Sequence, residues 1–194
     1  MDGISTSGAA EWLLVRHAPR AEPHRLAVRT DLPAELPEAG ALSAVASLIG
    51  PFDHLVSSPA LRCRQTAGAL WPGLTPELDA ALWEQDFGDW DGRPLVDVPD
   101  LGPMTRADLA LHRPPGGESF ADVVARVIPP LSALGPGLTV VVAHAGTIRA
   151  GLSMALRDPA DALGIEIAPL SATRIVRHGA EWSLGYVNRI APWP

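Results

Sequence analysis

Near its amino terminus the chain reads Trp12-Leu13-Leu14-Val15-Arg16-His17-Ala18. The apolar run is too short for a helix and is typical of a buried β-strand. In open α/β sheets, ligands bind in the crevice beyond the carboxyl ends of the strands. A strand that ends at this point would place Arg16 and His17 in that crevice. A guanidinium suits a phosphate there, and an imidazole can act as nucleophile, base or donor, although the dipeptide alone also fits an ordinary strand end.

Two further apolar runs end in similar chemistry. Residues 138–143 predict a buried strand that leads into His144, with a helix over 147–156. Residues 54–56 predict a strand followed by Ser58 as a helix cap and Pro59 in the first helical position, in a helix reaching about Leu70. The sequence therefore predicts several strand ends that carry polar side chains at one edge of a sheet.

Arg62 lies in the first turn of that predicted helix, where free N–H groups and partial positive charge already favour an anion. Arg64, two residues further on, turns to the opposite side of the helix. We therefore expect Arg62, not Arg64, to face the crevice. Together with Arg16 and the two histidines it would form a strongly positive pocket in a chain of formal net charge −7. Such a pocket predicts a small anionic ligand, above all a phosphate.

A proton donor could come from residues 82–92, which read Leu-Trp-Glu-Gln-Asp-Phe-Gly-Asp-Trp-Asp-Gly. The four carboxylates are Glu84, Asp86, Asp89 and Asp91. Taken alone, an acidic loop with aromatic residues is also typical of a solvated surface turn.

From about Glu11 to Gly151 these motifs together resemble the histidine phosphatase superfamily, in its phosphoglycerate mutase-like branch. Arg16-His17-Ala18 is similar to the family's Arg-His-Gly signature. Residues 57–67 resemble its serine-rich strand end and following helix, residues 82–92 its acid-bearing loop, and residues 141–149 its second histidine motif. The resemblance implies an α/β fold: a three-layer α/β/α sandwich whose central sheet is mostly parallel, with an antiparallel edge strand.

The resemblance also implies the site. His17 would form a phosphohistidine, and its other ring nitrogen would donate to a backbone carbonyl. Arg16, Arg62 and His144 would hold the phosphate oxygens, and Glu84 would protonate the leaving group, a role that partial burial would favour. Ala145, Ser119 and Arg93 are predicted as further substrate contacts. No metal and no cofactor is implied.

The sequence departs from the family pattern in two places. Ala18 replaces the usual glycine, which requires that the backbone there keep a negative φ. Residues 19–31 do not show the acidic residue, tryptophan and asparagine of many relatives, so one phosphate contact is expected to be absent. Residues 86–92 and 114–119 resemble the corresponding segments of α-ribazole phosphatases and broad-specificity phosphatases more than those of glycolytic mutases.

Two proline-rich segments, residues 19–37 and 94–115, are predicted to be irregular. They are either cap segments that govern specificity or plain surface excursions. As a cap, they would make five side chains available to the substrate: Trp83, Trp90, Arg93, His112 and Arg113. Helices are predicted over 38–49 and 119–127, and a β-hairpin over 173–177 and 182–187 with His178 in its turn.

Length and composition limit the number of domains, the kinds of partner and the location of the protein. The 194 residues, 47% of them hydrophobic, predict one domain over 1–194. The acidic balance opposes nucleic-acid or membrane partners, and Cys63, the single cysteine, is expected to be reduced inside a helix. No run is long enough to span a membrane, and residues 1–10 lack the regions of a signal peptide, so a cytoplasmic location is expected.

The function expected from these observations is a metal-independent phosphomonoesterase that acts on a small phosphorylated metabolite through a phosphohistidine. Two alternatives stay open. One is phosphoglycerate mutase-type phosphoryl transfer, which uses the same intermediate but excludes water. The other is a module that binds a phosphorylated ligand without turnover.

Overall fold

The central sheet of this computed structural model, which describes residues 10–192, is mixed. Its strands are β1 (Ala10–Arg16), β2 (His54–Ser57), β3 (Glu77–Leu78), β4 (Gly137–Ala143), β5 (Ala172–His178) and β6 (Glu181–Arg189). They lie in the order β3-β2-β4-β1-β5-β6. The first four run parallel, whereas β5 is antiparallel to β1 and β6 is antiparallel to β5. The predicted mostly parallel sheet with an antiparallel edge is confirmed.

Helices cover both faces of the sheet: α1 (Ala39–Ile49), α2 (Leu61–Leu70), α3 (Arg106–Leu111), α4 (Phe120–Ala133) and α5 (Ala145–Leu152). Side chains of β1 alternate between the faces. Leu13 and Val15 belong to one buried cluster with α1 and α2, whereas Trp12 and Leu14 belong to another with α4 and α5. This alternation explains why β1, buried on both faces, reads as a continuous apolar run.

The start of α2 differs from the prediction. The helix begins at Leu61, after Pro59, and the Ser58 hydroxyl makes no side-chain cap for it. Ser58 is buried and hydrogen-bonds to His144 instead. A carboxylate from a distant loop takes the capping role, because the Leu61 amide donates to Asp31 Oδ1 at 2.7 Å.

Helix α4 is longer than predicted and continues through Pro129 and Pro130. Val123, Val127 and Leu131 recur every four residues and are all buried, so the helix keeps one apolar stripe against the sheet to its last turn. Burial of that stripe outweighs the local cost of the prolines.

Other elements follow the prediction more closely. Helix α1 occupies most of the predicted span, and α5 starts earlier than predicted and passes into a short 3₁₀ helix (Ser153–Ala155). Residues 94–115, predicted to be irregular, contain α3 and a 3₁₀ turn (Leu95–Asp97). The hairpin of β5 and β6 is confirmed, with His178 as the exposed last residue of β5 rather than inside the turn.

None of the helices within residues 10–192 combines the length and the apolar character needed to cross a bilayer. Residues 1–9, on which the expectation about a signal peptide rests, lie outside the described residues.

Candidate active site

Three neighbouring parallel strands bring the predicted side chains to one edge of the sheet. Arg16 is the last residue of β1 and His17 follows it, while His144 follows β4, the strand that pairs with both β1 and β2. Arg62 lies in the first turn of α2, just beyond β2. We call these four side chains the floor of the site. They lie where the rule for open α/β sheets predicts a ligand.

His17 is held as a neutral imidazole. Its Nδ1 lies 2.6 Å from the carbonyl oxygen of Ala18, and since that oxygen can only accept, Nδ1 carries the proton. Nε2 is left as an acceptor, and Nε of Arg62 donates to it at 3.3 Å. Burial, assisted by the charge of Arg62, lowers the pKa of His17 to about 3. Its Nε2 is therefore unprotonated at neutral pH, as a nucleophile must be.

His144 is fully buried against His17, with ring centroids 5.1 Å apart in an edge-on arrangement. Nη2 of Arg62 donates to its Nδ1 at 3.1 Å, so the proton lies on Nε2, which faces Ser58 Oγ at 2.9 Å. Burial, followed by the charge of Arg62, lowers the pKa of His144 well below its usual value. The floor thus holds two neutral histidines beside arginines.

The two floor arginines keep guanidinium nitrogens without partners. Arg62 is 1% exposed; its Nη2 also donates to Val28 O at 2.7 Å, but its Nη1 is buried with no hydrogen-bond partner among the described residues. Arg16 donates from Nη1 to Ile167 O, and its buried Nε likewise has no partner within that part of the chain. Arg64 is exposed, as predicted. Buried cationic donors without acceptors point to an anionic ligand.

Two arginines that the sequence reasoning missed join this cluster. Arg20 and Arg29 each have a buried Nε that lacks a hydrogen-bond partner within residues 10–192, and Arg29 also forms ion pairs with Glu118 at 3.4 Å and Asp86 at 3.9 Å. Burial is the main reason that the pKa of Arg20 is lowered, and the charge of Arg62 adds to it. The Arg29 guanidinium lies 5.4 Å from the ring centroid of Trp83, which itself lies parallel to the His144 ring. Both residues belong to the segment 19–31 that departs from the family pattern, and only its positive charges could have indicated them.

The backbone at Ala18 does not have the positive φ that would require a glycine at this position. Among the described residues other than glycine, positive φ occurs at Glu22, Leu170 and Asn188, and not at Ala18. Its amide donates to Thr66 Oγ1 at 3.0 Å, which ties the turn after β1 to α2.

Glu84 reaches the start of α5, next to His144. Its Oε2 accepts from the amide of Gly146 at 3.2 Å, and its Oε1 accepts from the amide of Gln85 at 3.0 Å. A Cβ on Gly146 would lie 2.3 Å from Oε1, so the carboxylate approaches this closely only because residue 146 is glycine. The carboxylate is half-buried.

Arg126, on α4, holds the backbone that leads into Glu84. Its guanidinium donates to the carbonyl oxygens of Trp83 at 3.0 Å and Glu84 at 3.4 Å. It also pairs with the Glu118 carboxylate at 2.8 Å and 2.9 Å. Burial by itself would raise the pKa of Glu118, but the hydrogen bonds from Arg126 and the Asp86 amide lower it. Arg126 carries no sequence signal for this role because its partners next to Glu84 are backbone carbonyls.

Two other carboxylates of the acidic segment, Asp91 and Asp86, hydrogen-bond to backbone amides of loops. Asp91 accepts from the amides of Val28 at 2.7 Å and Thr30 at 2.6 Å, which joins residues 82–92 to residues 19–31. Asp86 accepts from the Gly88 amide, and Asp89 is exposed. We call residues 19–31, 82–92 and 114–118, apart from Glu84, Arg20 and Arg29, the roof of the site.

The other residues predicted to contact the substrate lie in different environments. Ala145 opens α5 directly after His144. Ser119 is buried, and its hydroxyl caps α4 in a capping box with Asp122. Arg93 is exposed and donates from Nε to the carbonyl oxygen of Asp89. Arg113 pairs with Asp122 at the surface. The structure gives Ser119 a structural contact, and contact of Ser119 and Arg93 with a substrate stays a prediction.

The sheet and its crevice define an α/β protein with a cluster of histidines and arginines at the strand ends. A family model described as histidine phosphatase superfamily (branch 1) matches residues 12–190, and the chain belongs to that superfamily.

Two curated relatives are partial matches. A bifunctional protein of Mycobacterium tuberculosis is 31% identical over 165 residues, which cover 78% of this chain and 45% of that protein. The chain thus spans less than half the length of that relative. The fructose-2,6-bisphosphatase TIGAR of Xenopus tropicalis is 32% identical over 81 residues, which cover 39% of this chain and 30% of that protein.

Solved structures match over nearly the whole chain. A mycobacterial glucosyl-3-phosphoglycerate phosphatase in complex with VO3 has a TM-score of 0.79 at 26% identity, covering 92% of this chain and 98% of that one. A putative alpha-ribazole-5'-P phosphatase from Escherichia coli has a TM-score of 0.78 at 18% identity, covering 95% and 99%. The second likeness shows the fold alone.

Proposed function

We propose that this protein is a metal-independent phosphomonoesterase that cleaves a small phosphorylated metabolite through a phosphohistidine at His17. The observation that carries the proposal is the unprotonated Nε2 of His17, which accepts from Arg62 Nε, beside Arg62 Nη1 and Arg16 Nε, two buried guanidinium nitrogens without hydrogen-bond partners among the described residues. A nucleophile surrounded by unpaired cationic donors suits a phosphate group better than it suits a carbonyl or a neutral ligand.

The arginines supply the positive charge that a metal supplies in other phosphatases. Arg62 Nη1 and Arg16 Nε have hydrogen-bonding capacity to spare, and Arg20 and Arg29 add two more buried donors. The transferred phosphoryl group spreads negative charge over its equatorial oxygens, so donors fixed around it stabilise the transition state.

The reaction then runs in two steps. Nε2 of His17 forms a bond to phosphorus while the bond to the ester oxygen breaks, and Glu84 gives its proton to the departing alcohol. In the second step the Glu84 carboxylate takes a proton from water as that water attacks phosphorus. The phosphorus–nitrogen bond breaks, and inorganic phosphate leaves with His17 and Glu84 restored.

The first experiment measures free phosphate released from a panel of alkyl and aryl phosphomonoesters, with and without a chelator. We expect hydrolysis that the chelator does not abolish. Activity that disappears with chelator and returns with a divalent cation would contradict the metal-independent mechanism. Conversion of 3-phosphoglycerate to 2-phosphoglycerate faster than phosphate release would favour a mutase, and phosphate binding with no turnover would favour a binding module.

Glu84→Gln tests the acid. Glutamine keeps the size of the side chain but cannot cycle a proton, so hydrolysis of alkyl phosphates should slow by roughly 10²–10⁴-fold, and that of an activated aryl phosphate far less. Asp89→Asn, an exposed neighbour on the same segment, is the matched control and should leave both rates unchanged. Equal losses of Glu84→Gln on both esters would move the acid role elsewhere.

A further inference from the structure

An apolar cavity of about 210 Å³ lies beside the acidic segment, residues 82–92. Its apolar lining includes Phe87, Trp90, Leu109, Phe120 and Leu163, drawn from the roof, α3, α4 and a 3₁₀ helix (Pro159–Gly164). A cavity of about 150 Å³ with such a lining holds a benzene molecule, so this one has room for one ring with a small substituent.

The cavity lies next to the residue proposed to protonate the leaving group. Gln85, which lines it, directly follows Glu84, the residue proposed to protonate the leaving oxygen. Arg149, which also lines it, donates to the carbonyl oxygen of Ile165 at 2.9 Å, two residues before Ile167, whose carbonyl oxygen accepts from the floor residue Arg16. The cavity therefore lies close both to the proposed acid and to the floor.

His112 marks the cavity as more than a packing defect. Its ring lies over Trp90 with centroids 5.7 Å apart and forms part of the cavity lining. Its Nε2 is buried and has no hydrogen-bond partner in the part of the chain that the structure describes. An unsatisfied buried polar atom costs stability, and a polar group on a bound molecule would satisfy it.

We propose that this cavity is the leaving-group subsite and that it selects substrates whose phosphate is esterified to a group bearing one apolar or aromatic ring. The proposal rests on the proposed phosphatase function. Apolar side chains form most of its wall, so a ring gains contact there, whereas the hydroxyl groups of a sugar would lose hydrogen bonds to water with only a few polar atoms to replace them.

The test compares benzyl phosphate with ethyl phosphate, two alkyl esters of which only the first carries a ring. In the wild-type protein we expect kcat/KM for benzyl phosphate to exceed that for ethyl phosphate by at least about tenfold, from the apolar contact alone. Leu109→Trp fills the cavity from a residue that is 40% exposed, so the fold tolerates the larger side chain. It should bring the two values to within about twofold of each other, chiefly by raising KM for benzyl phosphate.

Leu111→Trp is the matched control, because Leu111 lies on the same helix, is 70% exposed and lines a different apolar cavity. It should keep the full preference for benzyl phosphate. Equal hydrolysis of the two esters by the wild type, or an unchanged preference in Leu109→Trp, would overturn the subsite and leave the phosphatase function standing. Failure to hydrolyse either ester or any other member of the phosphomonoester panel would overturn the proposed function and the subsite with it.

Discussion

The floor of the site continues directly from the sheet, whereas its roof is joined to the floor by hydrogen bonds between loops that are far apart in the sequence. Arg16, His17 and His144 stand at the ends of two paired strands whose side chains fill both cores. The roof depends on single polar side chains such as Asp91 and Arg126, each of which accepts from or donates to the backbone of a distant segment.

We therefore expect the floor to carry out the chemistry and the roof to position the groups that take part in it. The floor side chains, of which Arg16 is half-buried and the other three are buried, bring the nucleophile and the positive charge to the same place, so their replacement should remove catalytic steps. Roof side chains hold Glu84 and the outer arginines in position, so their replacement should change rates and stability by smaller amounts. Four predictions test this contrast.

The largest effect is expected from His17→Ala. The change removes the nucleophile and leaves the arginines, so turnover should fall by roughly 10⁴-fold or more while binding of a phosphate analogue such as vanadate survives in part. Phosphate release and analogue binding are measured together, with acid-labile phosphoprotein trapped by rapid quenching. The same amount of phosphoprotein in the variant and the wild type would show that His17 is not the nucleophile.

Arg62→Met should be next in size. Methionine keeps most of the buried apolar stem but removes the charge, and kcat/KM should fall by roughly 10²–10³-fold, the usual cost of losing a fixed donor to transition-state charge. Arg64→Met, two residues away and exposed, is the control and should stay within about twofold of wild type. Comparable losses in the two variants would mean that the floor is not where phosphate binds.

The pH dependence of the free energy of unfolding tests whether His17 is buried as a neutral imidazole. The native pKa of His17 is about 3, below its unfolded value near 6.5, so the unfolded state binds the proton first as the pH falls. The stability contributed by the neutral imidazole is complete above pH 6.5 and is lost between pH 6.5 and about 3.

Between pH 6.5 and 5 the loss from this residue should amount to about 2 kcal/mol. Urea unfolding at pH 7 and pH 5 measures it: the free energy of unfolding of the wild type should fall by that much more than that of His17→Asn, in which His144 is still present. Parallel pH dependence in the two proteins would show that His17 is accessible to protons in the native state.

The smallest effect is expected in the roof. Asp91→Asn replaces a carboxylate that accepts from three backbone amides and the Thr30 hydroxyl, and it should lower the free energy of unfolding by about 1.5 kcal/mol and kcat/KM by a few-fold. Thermal unfolding and steady-state kinetics measure both quantities, with Asp89→Asn as the control. A loss as large as that of Arg62→Met would indicate that the roof takes part in the chemistry rather than in positioning.

The floor was predictable from the sequence because each of its side chains follows a local pattern. Apolar runs fixed β1 and β4, and the residues next to their ends had to lie at the carboxyl edge of the sheet. The spacing of Arg62 and Arg64 on one helix likewise decided which of them is buried. The resemblance to the family then singled out Glu84 among four carboxylates.

Other features were settled by the tertiary structure. Ser58, which was expected to cap α2, hydrogen-bonds to His144 instead. Asp31, thirty positions before Leu61, supplies the cap. Arg29 and Arg126 are held by contacts with a ring and with backbone atoms of other segments, and the cavity beside Gln85 exists only where four such segments meet.

The physical reason is the range over which each interaction acts. Hydrophobic periodicity and helix geometry act over a few residues, so the sequence by itself determined the strands, the helix faces and the motif residues that they carry. A hydrogen bond from a side chain to a distant backbone amide or carbonyl leaves no repeating signal in the sequence. Its partner is chosen only when loops from separate parts of the chain pack together, and that packing decided the roof, the arginines beside it and the shape of the cavity.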